Sequence, residues 1–187
     1  MHTTHHRTRA MRVLLPLLAV AALLGSTVPA ASAHGNGGSL FGAMWATAKY
    51  HQLDRALADG YGKFYICTDN NTPGVGGMGQ HYVNGDLVAD PHLDALHPEV
   101  LVYEPMPDGT SRLVALEYVV LQADWHAAFG NTTPRLFGQD LEAVDAGNRY
   151  GLPPFFELHV WLWKYNPSGL FNDWNPRVSC HGNGDPA

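Results

Sequence analysis

The chain has 187 residues, 45% hydrophobic and only 15% charged, with 20 Gly and 13 Pro. This composition excludes a disordered tail, a fibre and a coiled coil, argues against an all-α architecture, and suits one domain. The net charge of −6, from 17 acidic and 11 basic side chains, offers no general attraction to nucleic acid or to an anionic membrane surface.

The first 33 residues read as a secretory signal peptide. Arg7, Arg9 and Arg12 form a basic start, Val13 to Leu24 is an apolar run, and Ala31-Ser32-Ala33 is a small-x-small cleavage pattern. The run falls short of the roughly 20 residues that span a bilayer, and no second long apolar stretch follows, so no membrane span is expected. Cleavage after Ala33 predicts a secreted chain of 154 residues that has lost three Arg and three of its eleven His, with net charge −9.

Residues 34–39, His-Gly-Asn-Gly-Gly-Ser, read as a flexible leader, and 181–187 as a flexible tail, leaving a single globular domain over 40–180. Ala46, Tyr50, Leu53, Leu57 and Tyr61 recur at helical spacing, which predicts one helix from about Leu40 to Asp59, stopped by Gly60. Phe64 to Cys67 reads as a short strand, followed by a turn cluster and the run Gly74-Val75-Gly76-Gly77-Met78-Gly79. Such glycines mark close backbone approach or a bend. They are not a phosphate loop, because no Gly-Lys-Ser/Thr follows, nor a dinucleotide fingerprint, because the βαβ setting is missing.

Four more strands are predicted at Gln80 to Asn84, Val100 to Glu104, Arg112 to Leu121 and Phe155 to Lys164. The Pro105-Met106-Pro107-Asp108-Gly109-Thr110 link makes the second and third an antiparallel hairpin. The stretch 122–154 is irregular; at that length it is a functional loop, a lid or an unrecognised short helix. The fold class is therefore α+β: an N-terminal helix packed on a mostly antiparallel sheet or partly closed small barrel. Cys67 and Cys180, an even count in an exported chain, read as one disulfide spanning 113 positions. Loop closure over that span removes roughly 4 to 5 kcal/mol of unfolded-state freedom.

Chemistry lies on the strand faces. Alternation puts Phe155, Glu157, His159, Trp161 and Trp163 on one side of the last strand, against an apolar row of Phe156, Leu158, Val160 and Leu162. On the long third strand Leu113, Ala115, Glu117, Val119 and Leu121 share a face, so Glu117 is a carboxylate among apolar neighbours. It is costly unless paired, hydrogen-bonded, protonated or metal-bound. His81 follows the glycine run and Glu104 ends its strand. A curled sheet would let His81, His159 and one or two of Glu104, Glu117 and Glu157 converge. Two imidazoles and a carboxylate suit a divalent transition metal such as Zn, Fe(II), Mn or Cu with open positions, the composition of many catalytic sites. The competing reading pairs Glu117 with Arg135 or Arg149 and bonds His159 to a backbone carbonyl.

Other chemistries fit less of the chain. The small metal barrels of the cupin type are a fold-level analogy only, since their His-x-His pair is absent. A mature N-terminal His34 offers a copper-binding amino group and imidazole, but a mobile leader carries it. Trp161, Trp163 and Trp174 beside two Asn-Pro steps would make an aromatic, glycan-type surface if exposed, and would seal the domain if buried. No Gly-x-Ser-x-Gly elbow supports a serine nucleophile.

Four phrases carry a resemblance: Gly77-Met78-Gly79-Gln80-His81-Tyr82-Val83-Asn84, Pro98 to Pro105, Leu116-Glu117-Tyr118-Val119-Val120, and Glu157 to Lys164 continuing through Asn175-Pro176. They are similar to a family of uncharacterised exported bacterial proteins, over about Ala46 to Cys180. The resemblance implies the domain limits and adds no catalytic role. The expectation is a secreted protein whose His81, His159, Glu104 and Glu117 line a polar pocket for a metal ion or small polar ligand. Tyr82, Glu157, Trp161 and Trp163 are further ligand contacts. The alternative is a non-catalytic extracellular binding module that uses its aromatic surface.

Overall fold

A computed structural model describes residues 38–183. The predicted signal peptide, its cleavage point and His34 lie outside the described residues. No described helix is long and apolar enough to cross a membrane.

The chain opens on α1 (Leu40–Thr47), capped by Ser39, whose hydroxyl accepts from the Gly42 N–H at 2.9 Å. The single helix expected over 40–59 is broken into three pieces: α1, a 3-10 turn Ala48–His51, and α2 (Leu53–Ala58). The Thr47 hydroxyl bonds back to the Ala43 carbonyl at 2.7 Å, a contact that bends helices, and Gln52 is extended. In an unbroken helix the Tyr50 carbonyl would be taken by the N–H four residues on. The break frees it for the buried Tyr103 hydroxyl, which donates to it at 2.7 Å.

A six-stranded antiparallel sheet follows, curled into a half-barrel. Its strands are β1 (Gly62–Asp69), β2 (Gly77–Val83), β3 (Val100–Pro105), β4 (Ser111–Leu121), β7 (Glu142–Val144) and β8 (Phe155–Val160), in the order β1-β2-β3-β4-β8-β7. The fold is thus α+β. A short helix α3 (Gly85–Val88) links β2 to β3. The stretch 122–154 holds a helix, α4 (Gln122–Phe129), a small hairpin of β5 (Arg135–Leu136) and β6 (Gln139–Asp140), the edge strand β7, and a loop.

Three local departures from alternation matter. In β4, Val102 faces Ala115 but Tyr103 faces Leu113, so Val114 is an extra residue and the face assignment flips there. Leu113 accordingly joins the helix-side core, while Val114 and Ala115 both lie in the opposite one. In β1 the pairing jumps from Phe64 to Thr68 around Tyr65, whose φ is 58°. The last strand stops at Val160, four residues before its predicted end, because the Trp161 N–H turns to the Leu170 carbonyl at 3.0 Å.

The glycine run does bring backbones together. A Cβ on Gly76 would stand 2.0 Å from the Asn175 carbonyl oxygen, and one on Gly79, where φ is +106°, would stand 2.9 Å from the Tyr103 carbonyl oxygen. The sheet carries two cores. Tyr82, Leu101, Tyr103, Leu116, Tyr118, Phe156 and Leu158 pack with Ala43, Tyr50 and Ala56 of the helices. Val100, Val102, Ala115, Val119, Phe155, Trp161 and Val178 form the other. Cys67 and Cys180 are bonded. Residues 181–183, read from sequence as the start of a loose tail, form a 3-10 turn with Gly182 pressed against Pro105.

Candidate metal centre

Beside the second core lies a cluster of buried ionisable groups. Val100, Glu117 and His159 stand in one row across β3, β4 and β8, and Glu157 is two residues along β8 opposite Val119. His81 sits one row over on β2, between Phe64 and Val102. On this face β3 contributes only Val100 and Val102 beside these groups, and the curl of the sheet carries His81 across them to Glu117.

His81 Nε2 is 3.4 Å from one oxygen of Glu117, and His159 Nδ1 is 3.7 Å from the other. The two imidazoles meet edge to face with centroids 5.5 Å apart. One ligand atom from each of the three residues falls within 4.8 Å of the others, and all three side chains are buried. Ligand atoms on a tetrahedral ion with bonds of about 2.0–2.2 Å stand about 3.4 Å apart, so the spacing suits a first-row metal. None of the four imidazole nitrogens has a hydrogen-bond partner in good geometry. Buried polar atoms in that state are rare and costly.

The electrostatics follow from burial. His81 is driven down to about 4 by loss of solvent, against a weaker upward pull from the Gly79 carbonyl, and His159 falls well below its ordinary value by burial and then by His81. Both rings are neutral near pH 7, with lone pairs available. Glu117 is raised well above the usual carboxylate range, by burial first and then by Glu157. Glu157 rises to about 7, chiefly by burial. A cation placed among these groups would draw the proton from Glu117 and supply the charge that burial otherwise disfavours.

A cavity of about 240 Å³ opens onto the cluster, with His81, Glu117 and Glu157 in its lining. Apart from the Tyr150 phenol the rest of its wall is apolar and includes Phe64, Val100, Val119, Leu121, Leu152 and Phe155. One side is the loop after β7. Asn148 organises that loop by accepting from the N–H groups of Tyr150 and Leu152 at 3.2 Å each. The Tyr150 ring then lies against Tyr65 at 5.3 Å and Phe64 at 6.1 Å. A second cavity of about 320 Å³ shares Tyr150 and Glu157 with the first and is more polar, with Arg149, Asn148 and Asp173 in its lining. Asp173 is raised to about 6 by burial and then by Glu142.

The remaining expected residues lie elsewhere. Glu104 is held by Lys164, whose Nζ donates to it at 2.7 Å, and stands apart from the three clustered side chains. Tyr82 is on the helix face, ring to ring with Tyr103 at 5.1 Å, because it alternates with His81. Trp161 is 3% exposed, stacks on His159 at 5.8 Å and donates to the Asn172 carbonyl, so it backs the cluster and presents no open surface. Trp163, expected beside it, crosses to the helix-side core and meets His51 at 4.3 Å, since β8 has already ended. Trp174 is partly buried under the Arg149 guanidinium. Neither arginine suggested for Glu117 reaches it as an ion pair: Arg135 binds Asp140 at 2.6 Å and Arg149 lies over Trp174.

Sequence reasoning missed Phe64, Tyr150, Leu152 and Asp173 as cavity residues. The length of the irregular stretch was the available signal for the middle two. No protein-family model, curated protein or solved structure matches the chain.

Proposed function

We propose that this is an exported protein that binds one divalent transition metal ion through His81 Nε2, His159 Nδ1 and the Glu117 carboxylate. The observation that carries the reading is the set of buried, unpartnered imidazole nitrogens gathered around one carboxylate at metal-ligand spacing. Two histidines and a carboxylate suit Zn(II), Fe(II) or Mn(II) and leave coordination positions free on the cavity side. A metal there would act as a Lewis acid on whatever group occupies those positions. The chain's own contribution is to hold the three ligands on rigid strands, to back His159 with Trp161, and to keep the approach dry with aliphatic and aromatic walls. Export is supported by the disulfide and by the basic-apolar start of the sequence.

Metal analysis of purified protein, alongside His81→Ala and His159→Ala, tests the assignment. One equivalent of metal in the parent and its loss in both variants is the expected result. A metal-free parent after equilibration with Zn(II), Fe(II) and Mn(II) would rule the site out.

A further inference from the structure

We infer that the ligand this centre receives is a small apolar monoanion: a molecule of about ten non-hydrogen atoms with one carboxylate-type head and an aromatic or branched body. The inference rests on the metal reading and adds the class of molecule that completes the coordination.

Three features lead to it. The first is charge. A divalent ion held by two neutral imidazoles and one carboxylate leaves a net charge of +1 in a largely buried site. A buried charge of that kind calls for a single negative partner. Glu157 lies outside the three-ligand cluster and is shared with the polar cavity, whose wall carries Arg149 and Asp173. The second is the wall. Phe64, Val100, Val119, Leu121, Leu152 and Phe155 offer no charge and no side-chain hydrogen bond, and Tyr150 adds a single phenol, so the part of the ligand beyond its head is mainly apolar. The third is size. About 240 Å³ lies below the roughly 300–1,000 Å³ of pockets that take drug-sized molecules. The polar ligand expected from the His and Glu content is thereby narrowed. Only the head is polar, because His81, Glu117 and Glu157 are the only imidazole and carboxylate groups in the lining.

Binding involves no bond breaking. One carboxylate oxygen takes a free metal position while the body displaces water from the apolar wall. A cationic ligand of the same shape is repelled by the centre, and a small anion without a body gains nothing from the wall.

The test is calorimetric titration of the zinc-loaded protein with phenylacetate, acetate and 2-phenylethylamine, with His81→Ala as the control for zinc held elsewhere on the chain. Phenylacetate is expected to bind at least tenfold more tightly than acetate, with no measurable binding of the amine. Removing zinc should weaken phenylacetate at least tenfold. Leu152→Trp, a substitution on the loop that narrows the cavity, should abolish phenylacetate binding and leave zinc and acetate unchanged. Equal affinity for phenylacetate and acetate, or phenylacetate binding that ignores zinc, would overturn the ligand class with the metal site intact. Failure of the parent to hold zinc at the His81-dependent site would overturn both.

Discussion

The buried phenols on one face of the curled sheet and the buried imidazoles on the other are treated in opposite ways. On the helix side Tyr61, Tyr103 and Tyr118 each bury a phenol, and each hydroxyl donates at 2.7 Å to a backbone carbonyl, of Pro98, Tyr50 and Ala95. Those carbonyls come from segments outside the regular strands, so one bond satisfies a donor and a loop acceptor together. On the other side the four imidazole nitrogens of His81 and His159 find no such partner. The contrast teaches that buried polarity with local partners is structural, while buried polarity aimed at a common point lacks a reason within the fold and asks for an external group.

The sharpest way to break this comparison is to remove a group from each face. His159→Leu should weaken metal binding by more than the 10- to 100-fold typical of losing a supporting partner. It should leave the metal-free stability within about 1 kcal/mol or raise it, because a buried unpartnered imidazole is replaced by an apolar side chain. A denaturation curve with and without metal checks both halves. Replacing Cys67 and Cys180 together by Ala should cost about 2–5 kcal/mol by releasing a link across 113 positions, again read from denaturation. Tyr118→Phe should cost about 1–3 kcal/mol by orphaning the Ala95 carbonyl, with metal content unchanged.

A further effect is spread along the pH axis. Glu99 is 2% exposed, accepts from the Val119 N–H at 3.0 Å, and is raised to about 8 by burial. Its folded form keeps a proton that the unfolded chain releases above about 4.5. Stability therefore falls as pH rises from about 4.5 to about 8, with a slope from this group of at most about 1.4 kcal/mol per pH unit. Glu99→Gln should flatten that slope in metal-free protein, and a slope unchanged by the substitution would contradict the assignment.

Much of this architecture is legible in the sequence because strands and their faces follow a two-residue period. Alternation alone sets His81, Glu117 and His159 on walls that a curled sheet can close, and the glycines at 76 and 79 announce crowded backbone. What is not legible are single-residue events. The extra residue at Val114 moves Leu113 to the other face, and the early end of β8 parts Trp161 from Trp163. The Thr47 back-bond interrupts a helix whose apolar spacing is otherwise continuous. Partners distant in sequence escape as well: Lys164 pairs with Glu104 from sixty positions away, and the loop that brings Tyr150 to the cavity carries no periodic signal.

X-ray absorption at the zinc edge of the zinc-loaded protein bears most directly on the central claim. Two imidazoles, recognisable by their ring scattering, are expected with nitrogen and oxygen at about 2.0–2.2 Å, and His81→Ala is expected to lose the zinc of this site and its imidazole scattering with it. A shell of oxygens alone, or an imidazole count unmoved by that substitution, would contradict it.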